Sequence, residues 1–250
     1  KIYESFPSCS LLRMHPSPKE KELKELSEIL SKQNIGLDIS SSTAINNSLG
    51  SFKDRSETEK KMIRILLTRT MNQAKYINSS QDSYDNFYHY GLALPIYTHF
   101  TSPIRRYCDV IVHRLLAASI NIEPLQSDLL NKTKLMKMCD NMNKQNRKAF
   151  FCSRESNSYS SYTFFKNKGY SKTQVVIFKI SSKGVFGISE ENSLECKIEF
   201  SGVEHRVEEK ENVIVIGEKR LKLFDKVEAK IEIQSEDYRR DIKFYYIKSV

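Results

Sequence analysis

The sequence predicts an α+β chain, mostly helical over residues 1–171 and closing in a small antiparallel β-barrel over residues 172–250. Two observations predict it. Apolar residues recur at helical spacing as far as about residue 165, and from Thr173 the period changes from 3.6 to 2. A chain of 250 residues is long enough for one medium and one small domain, so the two stretches are taken as two domains.

In the first stretch, Leu23, Leu26 and Leu30 form the apolar stripe of a helix over 19–33, after the loop at Pro16 and Pro18. A short helix from Thr43 is expected to stop at Gly50 in a left-handed cap. Ser56 to Glu59 has the form of a capping box. It opens a long helix with the buried stripe Ile63, Leu66, Leu67, Met71, Ala74 and Ile77. A polar, aromatic loop then leads to a short strand around His89 to Leu94.

Ser102-Pro103 reads as a helix start, because a Ser side chain accepts from the free N–H groups of a first turn and Pro suits the first helical position. Its inner face is Ile104, Cys108, Ile111, Leu115 and Ala118. After Glu123-Pro124, a helix or helix pair spans about 127–165 with Leu135, Met138, Cys139, Met142 and Ala149 inward. Strands are expected at 174–179, 183–188, 197–200, 213–216, 226–233 and 242–247. Several short strands in so few residues predict a closed barrel, for which the OB fold is the default.

The formal net charge of +9 is unevenly placed. Residues 1–171 hold 25 Lys+Arg against 16 Asp+Glu, and residues 172–250 hold 15 against 15. A basic excess confined to one region suggests a polyanionic partner there. Cys9, Cys108, Cys139, Cys152 and Cys196 show no CxxC pair and no His at metal-ligand spacing. They read as reduced, mostly buried thiols of an intracellular protein. No apolar run approaches the ~20 residues of a membrane span and no signal peptide opens the chain, so no membrane partner is expected. The sequons at Asn46, Asn78 and Asn131 then carry no meaning, since glycosylation needs a secretory route. A start at Lys1 without Met reads as a fragment.

The run Tyr97-Thr98-His99-Phe100-Thr101-Ser102-Pro103-Ile104-Arg105-Arg106-Tyr107 is the most informative in the chain. If the helix starts at Ser102, Arg105 and Arg106 fall in its first turns, where the macrodipole disfavours cations by ~0.3–1 kcal/mol each. Something anionic should compensate them. Free N–H groups, Thr101, Ser102 and two guanidinium forks at one helix start make a phosphate site. The plain alternative is a capped helix in which Arg105 pairs with Asp109 at i,i+4.

His89-Tyr90-Gly91-Leu92-Ala93-Leu94, followed after two residues by the run above and then by Cys108, Asp109 and His113-Arg114-Leu115-Leu116, resembles the signature of the RNase II/RNase R (RNB) exoribonuclease family. It is most similar to the eukaryotic branch that supplies the exosome's processive 3′→5′ exonuclease. Leu12 to Pro18, and Ser40-Ser41-Ser42 with Ala44 and Leu49, resemble further segments of that catalytic domain in the same order. The resemblance covers about residues 1–165 and implies the C-terminal part of an RNB domain followed by an RNA-binding barrel. It also implies hydrolysis of single-stranded RNA to 5′-nucleotides, exosome core subunits as partners, and a nuclear and cytoplasmic location.

In the family the first arginine of the signature contacts the scissile phosphate, and that position is Arg105. Arg106, Thr101 and Ser102 beside it, and the basic Lys144, Arg147 and Lys148, are further RNA-binding candidates. The Mg²⁺ of such an enzyme is held by aspartates upstream of everything present here. Asp82, Asp85, Asp128, Asp140, Glu190, Glu191, Asp237 and Asp241 lack the packing that holds two ions ~4 Å apart. No metal site is therefore expected in this chain, nor activity from it alone.

Two-metal hydrolysis needs no His base, so His89 and His99 are expected to pack or hydrogen-bond. His113 is placed to orient Asp109 or a backbone group, His15 is a fold determinant, and Arg13 is a candidate to face RNA. Phe178, Phe186 and Tyr245 are either stacking platforms or barrel core. Two other readings stand beside the enzyme: a non-catalytic single-stranded RNA-binding module, and a scaffold that docks to an exosome ring. The concentrated charge argues against the scaffold.

Overall fold

The computed structural model describes residues 1–250 except 54, 170–171, 192–193, 210 and 237–238. Asp237 and Ser171, the last residue of the first expected domain, lie outside the described residues. In chain order the elements are α1 (Ile2–Ser5), β1 (Leu11–Met14), α2 (Glu20–Ser31), α3 (Ser42–Ser51), α4 (Glu57–Thr70), β2 (Lys75–Asn78), α5 (Tyr107–Ser119), α6 (Ser127–Leu130) and α7 (Lys132–Lys168). The strands that follow are β3 (Lys172–Ser181), β4 (Gly184–Ser189), β5 (Glu195–Glu199), β6 (Arg206–Glu208), β7 (Val213–Ile216), β8 (Lys219–Leu221), β9 (Lys226–Glu236) and β10 (Arg239–Ser249).

The chain forms two compact units that interleave along the sequence. One comprises residues 1–27, 37–51 and 67–152, and the other 28–36, 52–66 and 153–250. Among the described residues no helix is long and apolar enough to cross a membrane.

In the first unit, β1 and β2 pair antiparallel with Arg13 opposite Tyr76. Leu11 and Tyr76 join Cys108, Ile111, Val112 and Leu115 of α5 and Leu135 and Cys139 of α7 in one apolar cluster. Leu12, Met14, Ile77 and Phe87 form another. In the second unit the capping box forms as expected: Ser56 N–H donates to Glu59 Oε2 at 3.0 Å and Glu59 N–H to Ser56 Oγ at 3.2 Å.

Several local expectations give way to tertiary bonds. The long helix ends at Thr70 and Ile77 sits in β2, because Asn72 is drawn out of helical pairing. Its carbonyl accepts from His15 at 2.7 Å and its side chain donates to Ser17 O at 2.6 Å. α3 continues through Gly50 instead of stopping there. A single 3₁₀ turn at Tyr90–Leu92 stands in place of the strand around His89, whose backbone bridges to His15 and Leu94. Ile104 is wholly exposed, and Ala149 is exposed with the rest of residues 144–160 of α7.

In the second unit, the strand order β10-β5-β4-β3-β9 closes a barrel. Every pairing is antiparallel except the closing seam, where β5 runs parallel to β10 with Ile198 opposite Phe244. Val175, Ile177, Val185, Ile198, Val227, Ala229 and Phe244 fill it, with Phe165 of α7 against them. Residues of β3 are buried on both faces: Val176 and Phe178 pack with Met62 and Ile188 on the other side. Phe178 is 2% exposed, which makes it core and removes it as a stacking platform. β6, β7 and β8 form a separate three-stranded sheet, of which the sequence pattern foresaw only β7.

Candidate nucleic-acid interface

The segment that leads to Arg105 is pinned at four positions in close succession. Arg13 N–H donates to Tyr97 O at 2.8 Å, and Thr98 Oγ1 donates to Leu11 O at 2.8 Å. His113 Nε2 meets Phe100 O at 2.7 Å, so of the two groups expected for it, His113 holds the backbone. Ser102 N–H donates to Asp109 Oδ2 at 2.7 Å. Residues 102–106 then make one turn, closed by Arg106 N–H on Ser102 O at 3.0 Å. The backbone extends at Arg106 (φ −128°, ψ 111°), and α5 begins at Tyr107.

The helix thus starts at Tyr107 and not at Pro103, and Asp109 supplies the reason. It is the third residue of α5, where an acid suits the positive end of the macrodipole, and its fully buried carboxylate takes Ser102 N–H and the Arg106 guanidinium together. The compensating anion that the two arginines require is therefore internal, and it serves Arg106 at 2.8 Å. Arg105 does not form the i,i+4 pair. Its side chain is exposed, with a long 3.5 Å contact to Ser102 Oγ and no carboxylate partner among the described residues.

Behind this turn lies a layer that sequence reasoning missed. The Arg13 guanidinium stacks 4.4 Å from the Tyr76 ring centroid, and Tyr76 Oη meets His99 Nδ1 at 2.8 Å. Asn143 of α7 accepts from Tyr76 N–H and donates to Tyr76 O, both at 2.8 Å, as a neighbouring strand would. Burial, with the nearby charges of Arg106 and Arg13, pushes His99 down to about 4. Burial also lowers His89 and Arg13. Asp109 is opposed by burial, yet the hydrogen bonds from Arg106 and Ser102 win and hold it below the usual carboxylate range. Burial raises the Cys108 thiol to about 12, so it is not a nucleophile. His15 accepts from Gly91 N–H at Nδ1, 3.1 Å away, which leaves the proton on Nε2 to donate to Asn72 O. Only the strand register could have pointed to Tyr76, since it sets Arg13 across from it.

Thr101, Ser102, Arg105 and Arg106 are brought together in one turn. Lys144, Arg147 and Lys148 stand exposed near the middle of α7, with Arg147 5.7 Å from the Phe151 ring centroid. Among the described residues no three His, Cys, Asp or Glu side chains form a group able to hold a metal ion. Asp82 accepts from Ser83 N–H and Asn86 Nδ2 in its own loop, Asp128 pairs with Lys134, and Glu190 pairs with Lys226.

The family model of the RNB domain matches residues 1–122. Exosome complex exonuclease RRP44 homolog A of Arabidopsis thaliana is 43% identical over 183 residues, 73% of this chain and 20% of that protein. Exosome complex exonuclease RRP44 of Homo sapiens is 36% identical over 245 residues, 94% of this chain and 25% of that protein. The chain thus spans a fifth to a quarter of the length of these curated relatives. Among solved structures, the apo form of Mycoplasma genitalium RNase R superposes with a TM-score of 0.79 at 28% identity, over 98% of this chain and 39% of that one. The same RNase R in complex with ribose methylated single-stranded RNA gives 0.77 at 28% identity, over 97% and 39%. With the signature turn, the β1–β2 pair and α5 all inside the matched residues, the chain belongs to the RNB family.

Proposed function

We propose that this chain is the C-terminal part of the catalytic region of a processive 3′→5′ exoribonuclease, in which Arg105 contacts the scissile phosphate of single-stranded RNA. The observation that supports this reading is Arg105 itself: exposed, at the end of a repeatedly pinned segment, and without a carboxylate partner among the described residues. A planar guanidinium reaches two phosphate oxygens at fixed geometry, which an ammonium cannot. Thr101, Ser102 and Arg106 shape the turn, and Lys144, Arg147 and Lys148 neutralise backbone phosphates elsewhere on the strand.

In this reading the Mg²⁺ that activates water is held by carboxylates from outside residues 1–250, and products are 5′-nucleotides. The barrel is an RNA-binding OB fold, exosome core subunits are partners, and the location is nuclear and cytoplasmic. The assay that tests the reading follows 5′-labelled RNA with Mg²⁺. The isolated chain should bind the RNA and leave its length unchanged, and a longer protein joining it to RNB carboxylates should shorten it from the 3′ end until EDTA is added. EDTA-sensitive shortening by the isolated chain would refute the division of labour. A longer protein that binds without cutting would establish the alternative, a non-catalytic single-stranded RNA-binding module.

A further inference from the structure

Asp109 has no part in the reading above beyond explaining where α5 starts, yet its geometry is that of a clamp. A single carboxylate oxygen, Oδ2, accepts from Ser102 N–H at 2.7 Å and from Arg106 Nη2 at 2.8 Å. Ser102 opens the turn that carries Arg105, and Arg106 closes it. One buried atom therefore ties both ends of a loop whose intervening residues, Pro103, Ile104 and Arg105, are exposed. Among the described residues the other oxygen, Oδ1, is buried without a partner, as is Arg106 Nε.

Arg106 is the second element. It adjoins Arg105 in sequence and has the same fork, so without Asp109 two guanidinium groups would compete at the positive end of α5. The nearby His99 and Arg13 offer Arg106 no counter-charge, since His99 is held neutral and Arg13 is a cation. We propose that Asp109 is a positioning residue: it fixes the 102–106 turn so that Arg105 alone presents its fork to an RNA phosphate, and it withholds Arg106 from that phosphate. The proposal rests on the phosphate-contact reading of Arg105.

A double-mutant cycle on the full chain tests it, with affinity for an oligouridylate as the readout. Asp109→Asn keeps the size and an acceptor for Ser102 but loses the charge that holds Arg106. Arg105→Ala should weaken binding about tenfold, the effect of one charged hydrogen-bond donor, and Asp109→Asn about fivefold. The double variant should bind no more weakly than Arg105→Ala, because Asp109 acts through Arg105. Arg106→Gln, which unties the second arm while Ser102 N–H stays on Asp109, should weaken binding no more than Asp109→Asn and add nothing to the loss of Arg105→Ala. It keeps the proposal testable if Asp109→Asn does not fold. Wild-type binding by Asp109→Asn, an undiminished loss from it in the Arg105→Ala background, or a further loss from Arg106→Gln in that background would each overturn it. If Arg105→Ala binds as wild type while Asp109→Asn is impaired, the phosphate reading itself has failed, and the clamp falls with it.

Discussion

Arg106 and Asp109 meet at 2.8 Å with the carboxylate sealed from solvent and the guanidinium side chain 19% exposed. Two neighbouring arginines are thereby given different fates: one is neutralised inside the turn, and the other is left at the surface. Removing the acid should be costly, because it strands a largely buried cation and frees Ser102 N–H. Asp109→Ala is expected to lower stability by about 2–4 kcal/mol at pH 7 in urea titrations. The folded carboxylate titrates below its unfolded value of about 3.9, so its contribution is whole above that pH and fades as pH falls through the folded value. The gap between wild type and Asp109→Ala should close only in strong acid. A gap that closes near neutrality would contradict the pairing.

His99 gives the same direction of pH dependence in a higher window. It titrates at about 4 in the folded chain, against an ordinary value of about 6.5. The unfolded chain therefore binds its proton first as pH falls, and stability should decline between about 6.5 and 4 by roughly 1–2 kcal/mol, allowing for partial exposure. Replacing His99 with Gln should flatten that limb of the curve, as followed by thermal unfolding at stepped pH. An unchanged limb would place the titration on another group.

Gly187 in β4 marks a close approach inside the barrel. A Cβ there would overlap the Val175 side chain and lie 3.0 Å from Val176 O and 3.3 Å from Ile198 Cδ1. Gly187→Ala should destabilise the chain by about 1–3 kcal/mol through overpacking, with partial recovery when Val175→Ala is added. A melting temperature equal to that of wild type would mean that the strands are not held at this spacing.

The basic residues of α7 should control how RNA binding responds to salt. Single-strand binding loses about 0.7 in the slope of log K against log salt for each neutralised phosphate. Changing Lys144, Arg147 and Lys148 together to Gln should flatten the slope by about 2. The same treatment of Lys219, Arg220 and Lys222 should leave it nearly unchanged, since Arg220 already holds Glu208 at 2.6 Å and Glu211 at 2.8 Å. The reverse ranking would assign the phosphate contacts to the β6–β8 sheet.

Elements whose causes lie close in sequence were legible before the structure. The Ser56–Glu59 capping box, the Leu23, Leu26, Leu30 stripe and the change of period at Thr173 each depend on residues a turn or a strand apart. Elements decided at a distance were not. Ser102-Pro103 is a sound local helix start, yet a carboxylate seven residues later takes Ser102 N–H and moves the start to Tyr107. α4 stops where Asn72 meets His15 and Ser17, more than 50 residues away. Phe178 alternates as an outward residue would, but β3 is covered on both faces. At the site, the motif singled out Arg105 and its neighbours; the i,i+3 pair of Arg106 with Asp109 was passed over for the i,i+4 pair of Arg105, and the Tyr76–His99 layer behind them appears only when β1 and β2 are in register.

Single-turnover cleavage of 5′-labelled RNA decides whether Arg105 faces the scissile phosphate. The measurement compares wild type, Arg105→Ala and Arg105→Lys in a longer, Mg²⁺-loaded RNB protein that carries this chain as its C-terminal part. The rate should fall by about 10²–10³ in Arg105→Ala, the loss typical of deleting one transition-state charge donor, while RNA affinity changes far less. Arg105→Lys should recover only part of the rate, because the fork is lost. Equal rates for wild type and Arg105→Ala would show that the pinned turn is structural and that the phosphate is held elsewhere.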